Sequence, residues 1–331
     1  MGSEMCIRDS PTALRPQGKE IVRTWLYYTL LKSALLLDKP GFQHVWIDGL
    51  GMDPWGRKMS KSLGNGIDAD SVLECGAGGR TGSWKVKGPE KTVNLKANKI
   101  GSECFRLWKA CEAQVGDDFH INPEEIEQKY FGVLTKLFNV ARFASQFDVP
   151  NDLDSIPEDI NIEDEWILYE FNAVMSEVKL AWTNLDIYTA TQTLKTFGTG
   201  ILPSHYLEMV KSRLYDGDDK AAWTIHRIVR DFMSAFSPIC PFFTHHISTT
   251  IYGTSAVEID EFPDNTLGQH FDQKKSDYLM SKSNALQAFN GEVWSTKKTN
   301  GISLNQPISG IAIPENLADF NNILTAMHSI E

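Results

Sequence analysis

The first periodic segment of the chain lies near its N-terminus. Between residues 17 and 37, apolar residues recur at three- and four-residue steps: Ile21, Trp25, Tyr28, Leu31 and Leu35. This spacing predicts one amphipathic helix over 17–37, ended by Lys39-Pro40-Gly41. The apolar stretch 25–37 contains Lys32 and is shorter than the roughly 20 residues that cross a bilayer, so we interpret it as a core helix.

A short strand and a glycine-rich loop come after this helix. Residues 43–48 form the strand candidate, and residues 49–65 form a loop rich in glycine and lysine. Asp68 is a predicted N-cap for a helix that runs to Glu74, because its carboxylate can accept free amides of the first turn. Helix, strand, loop and helix make half of an α/β pattern, in which ligands bind beyond the carboxyl ends of the strands.

The remaining pattern changes from mixed to helical. Residues 75–98 are polar and glycine-rich and predict an insertion or a hairpin, and a helix-like stretch comes next at 102–112. Further helices are predicted at 124–147, 163–183, 187–197, 204–215, 219–236 and through His245 to Tyr252. Long helices with short joints indicate a bundle.

The sequence divides into four predicted regions. Residues 1–10 look unrelated to the rest of the chain and form an unrelated or disordered leader. An α/β region spans 11–122, a helical domain spans 123–262, and a tail spans 263–331. Within the tail we predict a helix at 272–298 and a short β-like segment at 301–314.

Composition and charge narrow the class of protein. The length of 331 residues and the 42% hydrophobic content fit two globular domains. A net charge of -11 argues against a protein that coats nucleic acid by bulk charge. Residues 51–100 are the exception, with nine lysines and arginines against five acids, so the basic segment surrounds the loop.

The cysteines and the N-terminus point to a reducing compartment. The five cysteines form no C-x-x-C pair and no regular set, which disfavours a disulfide scaffold and a zinc cluster. No charged leader precedes an apolar run, so secretion is not indicated. We expect a cytoplasmic protein without a membrane partner and without a protein-bound metal.

The loop 56–65 contains the side chains that most strongly indicate a chemical function. Its sequence is Gly-Arg-Lys-Met-Ser-Lys-Ser-Leu-Gly-Asn, in which small hydroxyl residues separate Lys58 from Lys61. Ammonium and hydroxyl donors on such a loop suit a polyphosphate and help most where charge develops as pyrophosphate leaves. A solvated basic loop explains the same residues, and their pattern alone leaves both interpretations open.

Lys58-Met59-Ser60-Lys61-Ser62 is identified as the signature pentapeptide of class I aminoacyl-tRNA synthetases, in the Gly-Arg and Gly-Asn frame of the aliphatic members. Other segments resemble the same family, the first two its valyl members: Leu14-Arg15-Pro16-Gln17, Glu20-Ile21-Val22-Arg23-Thr24-Trp25, Gly101-Ser102-Glu103-Cys104-Phe105-Arg106-Leu107-Trp108, Glu165-Trp166-Ile167-Leu168, Val210-Lys211-Ser212-Arg213-Leu214-Tyr215 and Pro238-Ile239-Cys240-Pro241-Phe242. Met280-Ser281-Lys282-Ser283 repeats four signature letters without the glycine frame, and we interpret it as coincidence.

Three features depart from the family pattern. The second ATP motif, His-x-Gly-His or a variant, is absent, and so is the large editing insertion. Both precede Leu14 in the family, so we expect the chain to be the C-terminal portion of a longer enzyme and to be inactive alone. Phe243-Thr244-His245-His246 stands where members usually have Thr-Glu.

The resemblance implies a fold and a set of roles. The fold is α/β plus all-α, the C-terminal part of a Rossmann-like catalytic domain followed by a helical-bundle anticodon-binding domain. Lys58, Met59, Ser60 and Lys61 would bind ATP, and Lys58, Ser60, Lys61 and Ser62 would be catalytic, Lys61 above all. Ile21 and Trp25 would line the amino-acid pocket, with core packing as the alternative. Arg142, Lys211 and Arg213 would contact tRNA phosphates, with surface charge as the alternative.

The implied activity is ATP-dependent ligation of valine to its tRNA through a valyl-adenylate. ATP with Mg²⁺, valine and tRNA(Val) are the expected cofactors and partners, and the full-length enzyme is expected to be a monomer. Valine is favoured by residues 21–25 and by Trp294 to Leu304 in the tail. The alternatives are an isoleucyl- or leucyl-tRNA synthetase fragment and a non-catalytic tRNA-binding module.

Overall fold

The computed structural model describes residues 11–76, 79–258, 262–263 and 267–331, so the predicted leader 1–10 lies outside the described residues. The chain forms two compact units. The first holds the described residues up to Phe131 together with Asp186–Tyr188, and the second holds Gly132–Leu185 and Thr189–Glu331. The division falls after Phe131, and the predicted tail belongs to the second unit.

The first unit begins with a parallel strand pair. Strand β1 (Thr12–Gly18) runs beside β2 (Phe42–Asp48), with Gly18 opposite Asp48. A tight turn at Lys19–Ile21 and a wide π-helical turn at Val22–Leu26 lead from β1 into helix α1 (Tyr27–Leu37). The prediction of one regular helix from residue 17 was therefore wrong, because pairing with β2 keeps the chain extended through Gly18.

The prediction of a core helix over residues 25–37 is also corrected. No residue of α1 is buried, and Leu35 and Leu36 are 75% and 78% exposed. The helix does form where the apolar pattern places it, and it ends at Asp38 in a left-handed conformation. Apolar periodicity identifies the face that a helix would bury, but burial needs a covering element, and the described residues supply none.

A second parallel pair joins distant parts of the first unit. Strand β3 (Gly51–Met52) pairs with β6 (Phe119–His120). Helix α2 (Ala69–Glu74) lies in the long connection, and Asp68 caps it as predicted, accepting the Ser71 N–H at 3.0 Å.

The predicted insertion or hairpin at 75–98 contains an antiparallel hairpin. Its strands are β4 (Gly82–Lys87) and β5 (Thr92–Ala97). Trp84, Val86, Leu95 and Ala97 fill its buried face, because alternate residues of a strand point to opposite sides. Helix α3 (Gly101–Glu112), near the predicted 102–112, then buries Cys104, Leu107, Trp108 and Cys111.

The second unit is the predicted helical bundle. A short helix α4 (Pro123–Ile126) and a wide turn (Glu127–Phe131) of the first unit lead into it. Its helices are α5 (Gly132–Ala144), α6 (Ile162–Thr183), α7 (Ile187–Thr196), α8 (Leu207–Tyr215), α9 (Asp219–Phe236) and α10 (Pro241–Tyr252). The first two residues of α7 belong to the first unit. The segment Phe197–Tyr206 is π-helical and joins α7 to α8. The predicted interruption between helices 187–197 and 204–215 is therefore not present in these described residues.

Gly198 shows how closely this core is packed. A Cβ atom there would lie 2.7 Å from Leu137 and 2.7 Å from Phe232, so a larger residue would clash with both side chains. Trp166 and Phe171 of α6 and Phe236 of α9 are fully buried in the same unit. The bundle core therefore depends on contacts that no single helix determines.

The tail packs onto the bundle through helix α11 (Gln273–Thr299) and helix α12 (Asn321–His328). The side chain of Lys297 is fully buried, and its ammonium donates to the carbonyl oxygens of Leu304, Gln306 and His328 at 2.7, 2.7 and 2.8 Å. The predicted β-like segment at 301–314 is reduced to one bridge, between Ile308 and Ile330. Lys297 therefore binds carbonyl groups of the 301–314 segment that a β-strand would use for hydrogen bonds to a neighbouring strand.

No helix in the described part of the chain combines the length and the apolar character needed to cross a bilayer.

Candidate functional site

The signature loop leaves strand β3 at a buried carboxylate. Asp53 is completely buried and accepts the backbone N–H groups of Trp55 at 3.0 Å and Arg57 at 2.9 Å. The guanidinium of Arg57 pairs with the same carboxylate, Nε lying 2.8 Å from Oδ2. These bonds fold residues 53–57 into a closed turn directly before the lysines.

Asn65 closes the loop from its other end. Its amide nitrogen donates to Asp53 Oδ2 at 2.9 Å and to the Lys58 carbonyl at 3.2 Å, and its amide oxygen accepts the Ser60 N–H at 2.9 Å. Asn65 is itself fully buried. Asp53 and Asn65 thus fix the two ends of the loop to each other, and we refer to them as the Asp53–Asn65 clasp.

Electrostatics favour an ionised Asp53. Burial raises the pKa of this carboxyl group, but the hydrogen bonds from Asn65 and Arg57 outweigh burial and lower its pKa below the usual value. The clasp therefore carries a negative charge at neutral pH, and this charge faces Arg57 rather than the two signature lysines.

The clasp leaves the signature side chains directed to the surface. Lys58, Lys61 and Ser62 are at least partly exposed, and neither lysine forms an ion pair among the described residues. The Ser60 hydroxyl lies 3.1 Å from the Ser62 hydroxyl and accepts the Leu63 N–H at 3.2 Å. The loop presents two unpaired ammonium groups and a hydroxyl pair, a donor set that fits a polyphosphate.

Met59 anchors the middle of the signature. Its terminal methyl group would lie 3.2 Å from a Cβ atom placed on Gly51, so its side chain packs against strand β3. The left-handed backbone of Gly64, with φ of 64°, lets the loop turn back, and the Gly64 N–H donates to the carbonyls of Ser60 and Lys61 at 3.2 Å.

The β4–β5 hairpin contacts the signature loop directly. The Lys87 N–H donates to the Gly64 carbonyl at 3.1 Å, and the Arg57 guanidinium donates to the Lys87 carbonyl. The Trp55 ring covers Gly88, where a Cβ atom would lie 3.2 Å from it. The β4–β5 hairpin is therefore attached to both ends of the loop.

The structure places Ile21 and Trp25 in different kinds of backbone. Ile21 ends the tight turn and Trp25 lies in the π-helical turn, so they do not share a regular α-helical face. Trp25 is 41% exposed, and the Arg15 guanidinium lies 3.8 Å from its ring centroid. Their assignment to an amino-acid pocket stays a prediction.

Arg213 is the least exposed of the three residues predicted to contact tRNA, and its contact with tRNA stays a prediction. Its side chain is only 14% exposed, and its guanidinium pairs with Glu163, Asp164 and Asp218 at 2.7, 2.8 and 2.9 Å. The charge is used between helix α6, helix α8 and the start of helix α9. Sequence pattern could not show this, because the acids that pair with it lie up to 50 residues away.

The other two predicted tRNA residues are accessible. Arg142 is exposed on helix α5. Lys211 lines a cavity of about 280 Å³ together with Lys136, Asn139 and Phe143, and its ammonium lies 3.7 Å from Glu208. Their contact with tRNA stays a prediction.

Two family models match the chain. Residues 4–122 match the tRNA synthetases class I (I, L, M and V), and residues 164–312 match the anticodon-binding domain of tRNA ligase. The chain therefore belongs to the class I aminoacyl-tRNA synthetases of the isoleucine, leucine, methionine and valine group.

Three relatives within this group share the name valine–tRNA ligase. The chain is similar to the valine–tRNA ligase of Aeropyrum pernix, at 32% identity over 97% of this chain and 36% of the relative. The valine–tRNA ligases of Nanoarchaeum equitans and Saccharolobus solfataricus are 30% and 31% identical over 96% and 91% of this chain, and over 37% and 32% of their own lengths. The chain thus spans about a third of the length of these relatives.

Solved structures share the fold. The LeuRS–tRNA–LeuAMS ternary complex of Agrobacterium radiobacter K84 has a TM-score of 0.59 at 15% identity, over 80% of this chain and 30% of that chain. The Mycobacterium tuberculosis methionyl-tRNA synthetase with methionyl-adenylate has a TM-score of 0.55 at 18% identity, over 74% of this chain and 45% of that chain. Both support the predicted α/β plus all-α architecture.

Proposed function

We propose that this chain is the signature-loop and anticodon-binding portion of a valine–tRNA ligase. The whole enzyme would join valine to ATP as valyl-adenylate and pass the valyl group to tRNA(Val). The observation that carries this proposal is the signature loop, whose two accessible lysines stand on a buried Asp53–Asn65 clasp.

The reaction requires positive charge close to the departing pyrophosphate. As the valine carboxylate attacks the α-phosphorus of ATP, the bond to the bridging oxygen breaks and negative charge develops on the departing pyrophosphate. Cations held where charge develops lower the barrier more than they strengthen substrate binding. Lys61 and Lys58 would stabilise the pyrophosphate, with Lys61 as the principal catalytic residue.

The remaining signature residues would position and bind ATP. The Ser60 and Ser62 hydroxyls lie side by side on the same exposed turn, so both can donate to phosphate oxygens. Met59 fastens the turn to the strand below it. The clasp holds this arrangement before substrate arrives, which reduces the ordering cost on binding.

Mg²⁺ would accompany ATP as a phosphate-bound ion. Within the described ranges, no three or more His, Cys, Asp and Glu side chains come together closely enough to hold a metal ion. We therefore assign no residue of this chain to the ion.

The second unit would bind tRNA(Val). Arg142 and Lys211 would contact its phosphates, since both are exposed and lie on the helical unit. Ile21 and Trp25 would face the aliphatic side chain of valine. The full-length enzyme would act as a monomer in the cytoplasm.

Valine is favoured over isoleucine and leucine because relatives at about 30% identity over most of the chain are valine–tRNA ligases. A non-catalytic tRNA-binding module is the less favoured alternative. It would have no need for an intact polyphosphate loop, yet both signature lysines are present and unpaired among the described residues.

The test is valine-dependent exchange of pyrophosphate into ATP by the full product of the gene, with Lys61→Ala compared with Lys282→Ala. Lys282 belongs to the second Met-Ser-Lys-Ser run, which lies within helix α11. Lys61→Ala is expected to slow exchange about 10²–10³-fold, the effect of removing one charge-stabilising donor. Lys282→Ala is expected to retain it.

Equal activity of the two variants would remove the loop from the mechanism. Absence of exchange with any amino acid, from a folded protein that still binds tRNA, would favour the binding module.

A further inference from the structure

We propose that the open face of the β4–β5 hairpin is a binding surface for the phosphate backbone of RNA, namely the acceptor arm of the tRNA. This inference rests on the proposed function, because it names where that tRNA is held beside the signature loop. It concerns the β4–β5 hairpin, which the roles proposed above leave unused.

The hairpin separates apolar and basic residues between its two faces. Trp84, Val86, Leu95 and Ala97 are buried on one side. The opposite side exposes Ser83, Lys85, Lys87, Thr92, Asn94 and Lys96. Cross-strand pairing sets Ser83 beside Lys96, Lys85 beside Asn94 and Lys87 beside Thr92, so the lysines lie on the same face. Neither strand contains an acidic residue.

These lysines differ from three other lysines of the first unit and resemble Lys58 and Lys61 of the signature loop. Lys19, Lys109 and Lys129 each pair with a carboxylate. Among the described residues, no carboxylate lies within ion-pair distance of Lys85, Lys87, Lys91 or Lys96. In a chain with a net charge of -11, four unpaired cations on one small hairpin are a marked local excess.

The nearby acids serve the backbone of the hairpin. Glu124 accepts the Lys96 N–H at 3.0 Å, and Glu127 accepts the Asn98 N–H at 2.6 Å, along the free edge of strand β5. Glu90 lies in the hairpin turn. Carboxylates therefore cover the free edge of the sheet, and the lysines lie on its face. Lysines can protect an unpaired sheet edge from pairing with another chain, but here the carboxylates already occupy that edge, so this role does not explain the lysines.

The position of this face identifies its ligand. Lys87 is bonded through its N–H to Gly64 and through its carbonyl to Arg57, so the basic face is joined to the signature loop. A polyanion bound here would lie next to the loop where valine is activated. In the proposed reaction the tRNA 3′ end must reach that place, and its acceptor arm supplies a repeating phosphate charge that unpaired lysines recognise without regard to sequence.

The experiment measures binding of the chain to two RNA transcripts, tRNA(Val) and a minihelix that contains only its acceptor arm. The test variant carries Lys85→Glu, Lys87→Glu and Lys96→Glu. The matched control carries Lys39→Glu, Lys274→Glu and Lys298→Glu, which are exposed lysines elsewhere with the same change in net charge. Thermal unfolding confirms that each variant is folded.

We expect the hairpin variant to bind the minihelix about tenfold or more weakly and to lose about one unit of salt slope for each phosphate contact removed. The control should bind the minihelix like the parent chain. Replacement of the same three residues by arginine should retain binding, because the charge is kept.

Three outcomes would overturn the inference. If the parent chain binds tRNA(Val) and the hairpin variant binds both transcripts equally well, the hairpin proposal fails while the proposed function stands. If the parent chain binds neither transcript, the hairpin proposal and the assignment of the second unit to tRNA binding both fail. If the lysines are needed for binding phosphatidylserine vesicles but not for binding the minihelix, the surface belongs to a membrane and not to RNA.

Discussion

Substitution of Asp53 by asparagine tests whether the clasp holds the signature loop. The native carboxylate accepts two backbone N–H groups and two side-chain donors, from Arg57 and Asn65. Asparagine keeps one acceptor oxygen and turns an NH₂ group towards donors. Two charge-assisted hydrogen bonds are then lost, each of which contributes about 1.5–3 kcal/mol.

The net effect is smaller than the sum of these bonds. The Arg57 side chain is 33% exposed and can recover bonds to water, so we expect Asp53→Asn to lower the free energy of unfolding of the first unit by about 2–4 kcal/mol. The matched control is Asp70→Asn, an exposed acid in the first turn of helix α2, for which a loss below about 1 kcal/mol is expected.

Urea unfolding and hydrogen exchange of the loop amides measure both effects. The amides of Arg57 and Ser60 should exchange faster in Asp53→Asn, because each donates to the clasp. The pKa of Asp53 is lowered by folding, so its stabilisation is present above the unfolded value of about 3.9 and is lost as pH falls through the folded-state pKa. Unchanged exchange, with stability within about 0.5 kcal/mol of the parent, would refute the clasp.

Three further predictions concern buried groups. Lys297→Met should destabilise the tail by about 2–4 kcal/mol in urea unfolding, because one buried and two partly buried hydrogen bonds to carbonyl oxygens lose their donor; native-like resistance of the tail to protease would contradict this. Burial, together with the charges of Lys297 and His205, lowers the pKa of His328 to about 4, so tail stability measured across pH should be full above about 6.5 and fall between there and pH 4. His328→Gln, which can keep a bond to Asn290, should flatten that profile, and an unchanged profile would refute the assignment. Burial raises the pKa of the Cys104 thiol to about 12, so a maleimide at pH 8 should label it only after unfolding, and rapid native labelling would count against its burial.

Structural features that a short segment of sequence determines were predicted correctly. Helix α9 occupies Asp219–Phe236 as predicted, because Asp218 caps it and its apolar residues repeat with helical spacing. The Asp68 cap and the break at Ser237-Pro238 are local in the same sense. A residue pattern within one turn of helix or one loop is sufficient to determine them.

Features that depend on distant contacts were missed. Strand β1 is extended because it pairs with β2, about 30 residues away along the chain. The ion pairs of Arg213 and the exposure of helix α1 likewise depend on which elements are adjacent in space. Local pattern identifies donors, acceptors and apolar faces, but it does not identify their partners.

The residues of the candidate site fall into the same two groups: those that a local motif identifies and those that depend on distant contacts. The signature lysines could be identified from the sequence, since their motif is contiguous. Asp53 was not singled out, because its role arises from Asn65, twelve residues later, and from complete burial after strand β3. An acid followed by Pro-Trp-Gly-Arg is a turn signal, and with an asparagine just after the signature it could have suggested a closed loop.

The measurement that tests the central claim most directly is the amino-acid dependence of pyrophosphate exchange into ATP by the full product of the gene, with valine, isoleucine and leucine supplied in turn. We expect exchange with valine, loss of that exchange in Lys61→Ala, and transfer of the valyl group to tRNA(Val). Exchange with isoleucine or leucine in preference to valine would contradict the proposed substrate, and valine-dependent exchange that survives Lys61→Ala would contradict the proposed role of the loop.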